Sequence, residues 1–192
     1  MFKQYITDTT QVSEEAKELL KQVLDKFGFI TNQDKILAIA PAIYQAYSKS
    51  FDLFLGKSSL GLLEGQIVIM TANYENNSPY CMAVHSWGME MTKVPGAIIE
   101  ALRNGTPIND ARLEALRNFT ALLMNKKGNV DNNIVKDFLD SGYTSQNIIE
   151  IIGGISTKLI SNYTNIIAKT PLDEIMKHYE WVHPDLRLIA NH

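Results

Sequence analysis

The single cysteine of the 192-residue chain lies in the stretch Asn76-Asn77-Ser78-Pro79-Tyr80-Cys81-Met82-Ala83-Val84-His85. Its thiol is the group best suited to nucleophilic or redox chemistry. Ser78 fits a helix N-cap and Pro79 fits the first helical position, where a missing N–H costs nothing. Cys81 is then the third helical residue. There its sulfur meets unpaired backbone N–H groups and the positive end of the macrodipole, and both favour thiolate over thiol. His85, at i+4, shares that helix face, so its imidazole can accept the thiol proton or stabilise the thiolate. The structural alternative is a small buried apolar residue beside a core or surface histidine.

The rest of the chain reads as helices that position this stretch. Residues 1–12 form a polar arm with scattered aromatics. From Ser13, followed by Glu14 and Glu15, the apolar residues Ala16, Leu19, Leu20, Val23, Leu24 and Phe27 recur at helical spacing and stop at Gly28. Thr31 or Asn32 caps a short helix, and Pro41 starts another through Tyr44, Tyr47, Phe51 and Phe54. Leu60 to Tyr74 is the most apolar segment and is expected to be a central helix. With the short turn Glu75-Asn76-Asn77 it makes an αα-hairpin with the Cys81 helix, which brings Gln66 and Asn73 near that helix's start.

Beyond Val94-Pro95 a helix runs through Ile98 and Leu102 to Asn104-Gly105. Asn109 or Asp110 caps the next, with Leu113, Leu116, Phe119 and Leu123 on one face. A shorter helix spans Val130 to Leu139, and a long apolar helix runs from Ile148 to Ala168. In that last helix Gly153-Gly154 permits a kink or a close approach. Leu172 to Tyr179 is a final helix, and residues 181–192 are a tail ordered by a partner subunit. No stretch alternates with period two, so the fold class is all-α, with a single domain over residues 13–180.

Composition narrows the function. The chain is 45% hydrophobic and 20% charged, with a formal net charge of -3, and its basic residues are interspersed with acids. No nucleic-acid surface is expected. No segment approaches the run of about 18 apolar residues that spans a bilayer, so no membrane partner is expected. No signal peptide is evident, and one cysteine, which cannot form an internal disulfide or a cysteine-rich zinc site, fits a cytoplasmic setting. Neither a cofactor nor a metal is expected.

An apolar helix ending in Gln66-Ile67-Val68-Ile69-Met70-Thr71-Ala72, a turn with Asn77, then Tyr80-Cys81 and His85 resembles the carboxymuconolactone decarboxylase and AhpD-like alkylhydroperoxidase superfamily. Asn32 to Tyr47 looks like its entry helices. Ile155-Ser156-Thr157-Lys158 through Asn162-Tyr163-Thr164-Asn165 to Thr170-Pro171-Leu172-Asp173 resembles the C-terminal stretch of its peroxidase-related members. Peroxidase members carry a CxxC pair, a downstream His and an upstream relay Glu. Cys81 matches the second cysteine and His85 the histidine, while Ser78 stands at the first cysteine, Gln66 at the relay carboxylate and Tyr80 where some members have His. Glu64, two positions from Gln66, lies on another helix face.

The resemblance implies a one-cysteine thiol peroxidase. Cys81 would attack a hydroperoxide, with His85 as its catalytic partner, Ser78 capping the helix and donating to the thiolate, and Gln66 and Tyr80 furnishing polar contacts. Without a resolving thiol, an external thiol or protein reductant is required. Gln66 can orient groups but cannot shuttle a proton. The alternatives are a carboxymuconolactone decarboxylase-like lyase, in which His85 handles protons, and a non-catalytic small-molecule-binding member. Trp87 with Met70, Met82, Met89 and Met91 lines either an apolar pocket or the core and interface. Arg103, Arg112 and Arg117 are not placed at the site by the sequence. The resemblance also implies a homo-oligomer, as a dimer, trimer or hexamer.

Overall fold

The most apolar stretch of the sequence, Leu60 to Tyr74, becomes the centre of the molecule in the computed structural model, which describes residues 2–8 and 12–189. In chain order the helices are α1 (Lys3–Thr7), α2 (Glu14–Phe27), α3 (Asn32–Leu37), α4 (Pro41–Lys57), α5 (Gly61–Glu75), α6 (Pro79–Met91), α7 (Gly96–Asn104), α8 (Ala111–Asn125), α9 (Asn132–Asp140), α10 (Ser145–Ala168) and α11 (Pro184–Ile189). A 3₁₀ segment, Glu174–Tyr179, precedes α11. The described residues contain no strand. None of their helices is long and apolar enough to cross a membrane.

Every residue of α5 from Glu64 to Asn73 is buried, and α4, α6, α8 and α10 pack around it. Ile67, Val68, Ile69 and Met70 are almost wholly removed from water, each contributing about 1.5–3 kcal/mol. Local signals set the helix ends. Ser13 accepts from the Ala16 N–H and Thr31 forms a capping box with Asp34. Asp110 accepts from the Leu113 N–H and Thr144 forms a capping box with Asn147. Each satisfies backbone donors that the first helical turn leaves free.

The α5–α6 hairpin turns at Asn77, whose φ is 47°, and the Ser78 N–H donates to the Asn73 carbonyl at 2.9 Å. The Asn73 side-chain amide then reaches across to the Cys81 carbonyl at 3.2 Å and accepts from Asn162 at 3.0 Å. Turn, cysteine helix and α10 are thereby tied by one buried amide chain.

Three expectations need correction. The helix expected from Leu172 is a 3₁₀ segment that begins only at Glu174. Asp173 is held extended because its carboxylate accepts from the Asn32 N–H at 2.9 Å and from the Tyr80 hydroxyl at 2.5 Å. The tail does not wait for a partner subunit to order Trp181. That indole is buried within its own chain, donating to the Arg103 carbonyl at 2.7 Å and packing beside Tyr74. The arm begins with α1, which packs on α3; its residues 9–11 and the last tail residues 190–192 lie outside the described residues.

Candidate active site

Cys81 sits in the first turn of α6, and Pro79 starts that helix as its position requires. The thiol is 1% exposed and borders a cavity of about 480 Å³. The wall of this cavity is mostly apolar. Leu19, Val23 and Phe27 come from α2, Tyr47 and Phe51 from α4, and Trp87 from α6. Gln33, Gln66, Tyr80 and His85 also border it.

The thiol's closest polar neighbours come from distant parts of the sequence. The Asn165 side-chain amide donates to Cys81 Sγ at 3.2 Å and to Gln33 Oε1 at 2.7 Å. Gln33 Oε1 also lies 3.8 Å from Sγ as an acceptor for the S–H, while its amide donates to the Tyr47 hydroxyl at 3.2 Å. Lys158, 1% exposed, brings its side-chain nitrogen into the same buried site, where negative charge on Cys81 would favour its protonated form. Its Nζ stands 3.1 Å from His85 Nε2.

His85 is placed differently from the sequence-based expectation. It shares the Cys81 face, but its nitrogens go elsewhere: Nδ1 to Gln66 Oε1 at 3.1 Å and Nε2 to Lys158. Gln66 is thus beside the histidine. An amide oxygen only accepts, so Nδ1 carries the proton and Nε2 is left to accept from Lys158. Burial, then the nearby Lys158 charge, push the His85 imidazolium well below its ordinary range. The same desolvation lowers the Lys158 ammonium, partly offset by Cys81.

Neutral His85 has a consequence for stability. The unfolded chain takes up a proton near pH 6.5 while the folded chain resists it, so the His85 contribution is complete above that pH and declines below it. Unfolding free energy is expected to fall below pH 6.5 with a slope approaching about 1.4 kcal/mol per pH unit. Urea titrations at successive pH values on the native chain and His85→Gln check this. The variant should lose that part of the slope.

Ser78 and Tyr80 do not take the places expected of them. Ser78 Oγ is buried without a hydrogen-bond partner and makes no cap bond. The backbone bond from Ser78 to Asn73 already holds the turn, and the hydroxyl bonds neither the first N–H groups nor the thiol. The Tyr80 hydroxyl is a strut, donating to Asp173 and accepting from the Gln33 N–H at 3.3 Å. It steadies the first turn of α3, which carries Gln33. Met70, Met82 and Met89 are core residues and Met91 is 67% exposed; of that group Trp87 alone borders the cavity, joined by Met176. Arg103, Arg112 and Arg117 are engaged elsewhere, with the Tyr179 and Glu180 carbonyls, with Glu64 and with Glu114.

Lys158, Asn165, Gln33, Tyr47 and Asn162 were not singled out as site residues by sequence reasoning. One signal was present in α10. Thr157, Lys158, Ser161, Asn162 and Asn165 are buried while Ile149, Ile152, Ile166 and Ile167 are exposed. A helix with its polar stripe inward is directing that stripe at something polar, here the thiol and the buried amides.

No protein-family model and no curated protein sequence matches the chain. Solved structures do. A peroxidase-related protein from Silicibacter sp. TM1040 is 18% identical, with a TM-score of 0.74 over 86% of this chain and 88% of its own. The alkylhydroperoxidase AhpD core protein from Ralstonia eutropha JMP134 is 17% identical, with a TM-score of 0.77 over 88% and 90%. A variant of the debrominase Bmp8 in complex with 2,3,4-tribromopyrrole is 16% identical, with a TM-score of 0.69 over 86% and 89%. With its α5–α6 hairpin and its long buried-polar α10, this chain has the AhpD-like helical fold.

Proposed function

We propose that the chain is a one-cysteine, thiol-dependent hydroperoxide reductase acting through Cys81. The observation that carries this reading is a solitary thiol bordering an apolar cavity and accepting a hydrogen bond from Asn165, with the buried Lys158 nitrogen and a neutral histidine behind it. The Cys81 thiolate attacks one peroxide oxygen. An S–O bond forms as the O–O bond breaks, and the departing alkoxide takes a proton to become an alcohol. One external thiol displaces water from the sulfenic acid to give a mixed disulfide, and a second releases the free cysteine and an external disulfide. His85 and Gln66 act as a positioning pair rather than as a CxxC relay. A cytosolic thiol pool, or a protein reductant, serves as electron donor.

The test is consumption of an organic hydroperoxide with excess thiol, together with trapping of the oxidised enzyme by a sulfenic-acid reagent. One trap per chain, at Cys81, is expected. An inert thiol would overturn the reading and leave the lyase or small-molecule-binding alternatives. A second reductive reading rests on the aromatic wall of Phe27, Phe29, Tyr47, Phe51 and Trp87: a brominated heteroaromatic of the kind bound to the debrominase fits such a wall, and loss of bromide with thiol turnover would favour it.

We further propose a homo-oligomer. Ile39, Ile43, Tyr163 and Ile167 are exposed along a largely apolar groove between α3, α4 and α10, a patch that a second copy would remove from water. Light scattering should give a multiple of the chain mass that falls in Ile43→Glu with Ile167→Glu. A monomer for the native chain would overturn it.

A further inference from the structure

A buried lysine needs a reason. Lys158 is 1% exposed, has no carboxylate within ion-pair distance among the described residues, and stands 3.1 Å from His85 Nε2, one helical turn along α6 from the thiol of Cys81, whose negative charge would favour the ammonium. The side chain on the other nitrogen of His85 is Gln66, an amide that cannot carry a proton. On α6 stand His85, which bonds Lys158, and Cys81; the neutral Gln66 of α5 holds the other nitrogen of His85, Asn73 of α5 accepts from Asn162 one turn along α10 from Lys158, and the Tyr47 phenol of α4 borders the same cavity as Cys81 and His85. Asp34 of α3 is engaged by Thr31 and by the Tyr44 hydroxyl at 2.7 Å. The sulfur is therefore the natural counter-charge for the lysine.

We propose that Lys158 is the acid–base residue of this site: its amine takes the Cys81 proton, and the ammonium so formed returns that proton to the oxygen leaving the peroxide. The proposal rests on the peroxide-reducing reading for its second half only. In the first half the S–H bond breaks and an N–H bond forms, giving a thiolate–ammonium pair with no change in net charge. In the second, the thiolate electron pair forms the S–O bond, the O–O pair departs on the alkoxide, and the Nζ–H proton completes the alcohol. Cys81 is oxidised to the sulfenic acid, the hydroperoxide is reduced, and Lys158 is again an amine. His85 Nε2 accepts a different N–H of Lys158, and Gln66 fixes the imidazole tautomer that allows it. His85 is thus a positioning residue for the lysine rather than the base for the thiol.

The experiment compares the native chain with Lys158→Met and Lys158→Arg in three readouts: ultraviolet thiolate absorbance against pH, alkylation by neutral iodoacetamide, and single-turnover reaction with a hydroperoxide. Lys158→Met should slow both reactions and lose the native pH profile, with the peroxide step falling roughly a hundredfold or more. Lys158→Arg, which keeps the charge but does not release its proton, should retain more alkylation than peroxide reduction. Because either variant could fold poorly, the native chain supplies a further measurement. The NMR signal of the Lys158 ε-methylene must titrate over the same pH range as the thiolate absorbance. Independent titration, or a Lys158→Met protein with native pH profiles and rates, would overturn the assignment. If the native chain ignores hydroperoxides, the function reading fails, while the absorbance, alkylation and NMR measurements still decide the role of Lys158.

Discussion

Replacing Cys81 with serine is expected to abolish thiol-dependent hydroperoxide consumption and sulfenic-acid trapping while leaving the helical fold intact. The volumes of the two residues are close, so the packing of α6 against α5 should survive the exchange. A serine hydroxyl is far harder to ionise than a thiol, and its oxygen cannot be oxidised to a sulfenic acid and reduced again by a thiol. The chain holds no second cysteine that could take over. Turnover should therefore fall to the uncatalysed rate, a loss larger than the roughly hundred- to ten-thousandfold typical of removing an acid–base group. Circular dichroism and a melting curve would separate this chemical loss from unfolding. Residual activity above background in the serine variant would place the chemistry elsewhere.

The second large effect concerns how α10 comes to deliver its polar stripe. Gly154 lies where α10 crosses α4, and a Cβ built there would stand 2.5 Å from Phe54 Cζ and 2.8 Å from its Cε1. Phe54 is itself a buried core residue, so the ring has little freedom to yield. Gly153, one position earlier, is exposed and has nothing within 4 Å of the same added atom. The adjacent glycines are expected to respond in opposite directions. Gly153→Ala should stabilise by about 0.5–1 kcal/mol, the usual gain on removing a helix-interior glycine. Gly154→Val brings a branched side chain into the ring, and overpacking of about 1–3 kcal/mol outweighs any propensity gain.

Each kcal/mol corresponds to about 2–4 °C in Tm for a chain of this size. Differential scanning calorimetry of the two variants is the direct measurement. A displaced α10 also loosens the Ser50–Thr157 hydroxyl contact at 2.5 Å and the placement of Lys158 one residue on. Gly154→Val should therefore lose Cys81 reactivity at temperatures where it is still folded. Equal melting temperatures for Gly153→Ala and Gly154→Val would show that the crossing is looser than the distances imply.

The sequence by itself determined the helices and the hairpin, because their signals are local. Capping residues such as Ser13, Thr31, Asp110 and Thr144 act on N–H groups within the next turn, and apolar periodicity acts within a single helix. Pro79, Cys81 and His85 could be placed on one short helix for the same reason, and the high apolar content of α5 marked it as central. Only the tertiary structure decided what the thiol touches. Lys158 is 73 positions from His85, and Asn165 is 84 from Cys81 and 132 from Gln33, and no helical period connects residues so far apart. The expectation that His85 would contact the thiol followed from i+4 spacing, which brings two side chains to one face but does not choose their partners. Buried donors and acceptors are satisfied by whatever polar group the packing brings within reach. For His85 that is Gln66 and Lys158, and for Cys81 it is α10, whose inward polar stripe acquires its meaning only once the helix is laid across α5 and α6.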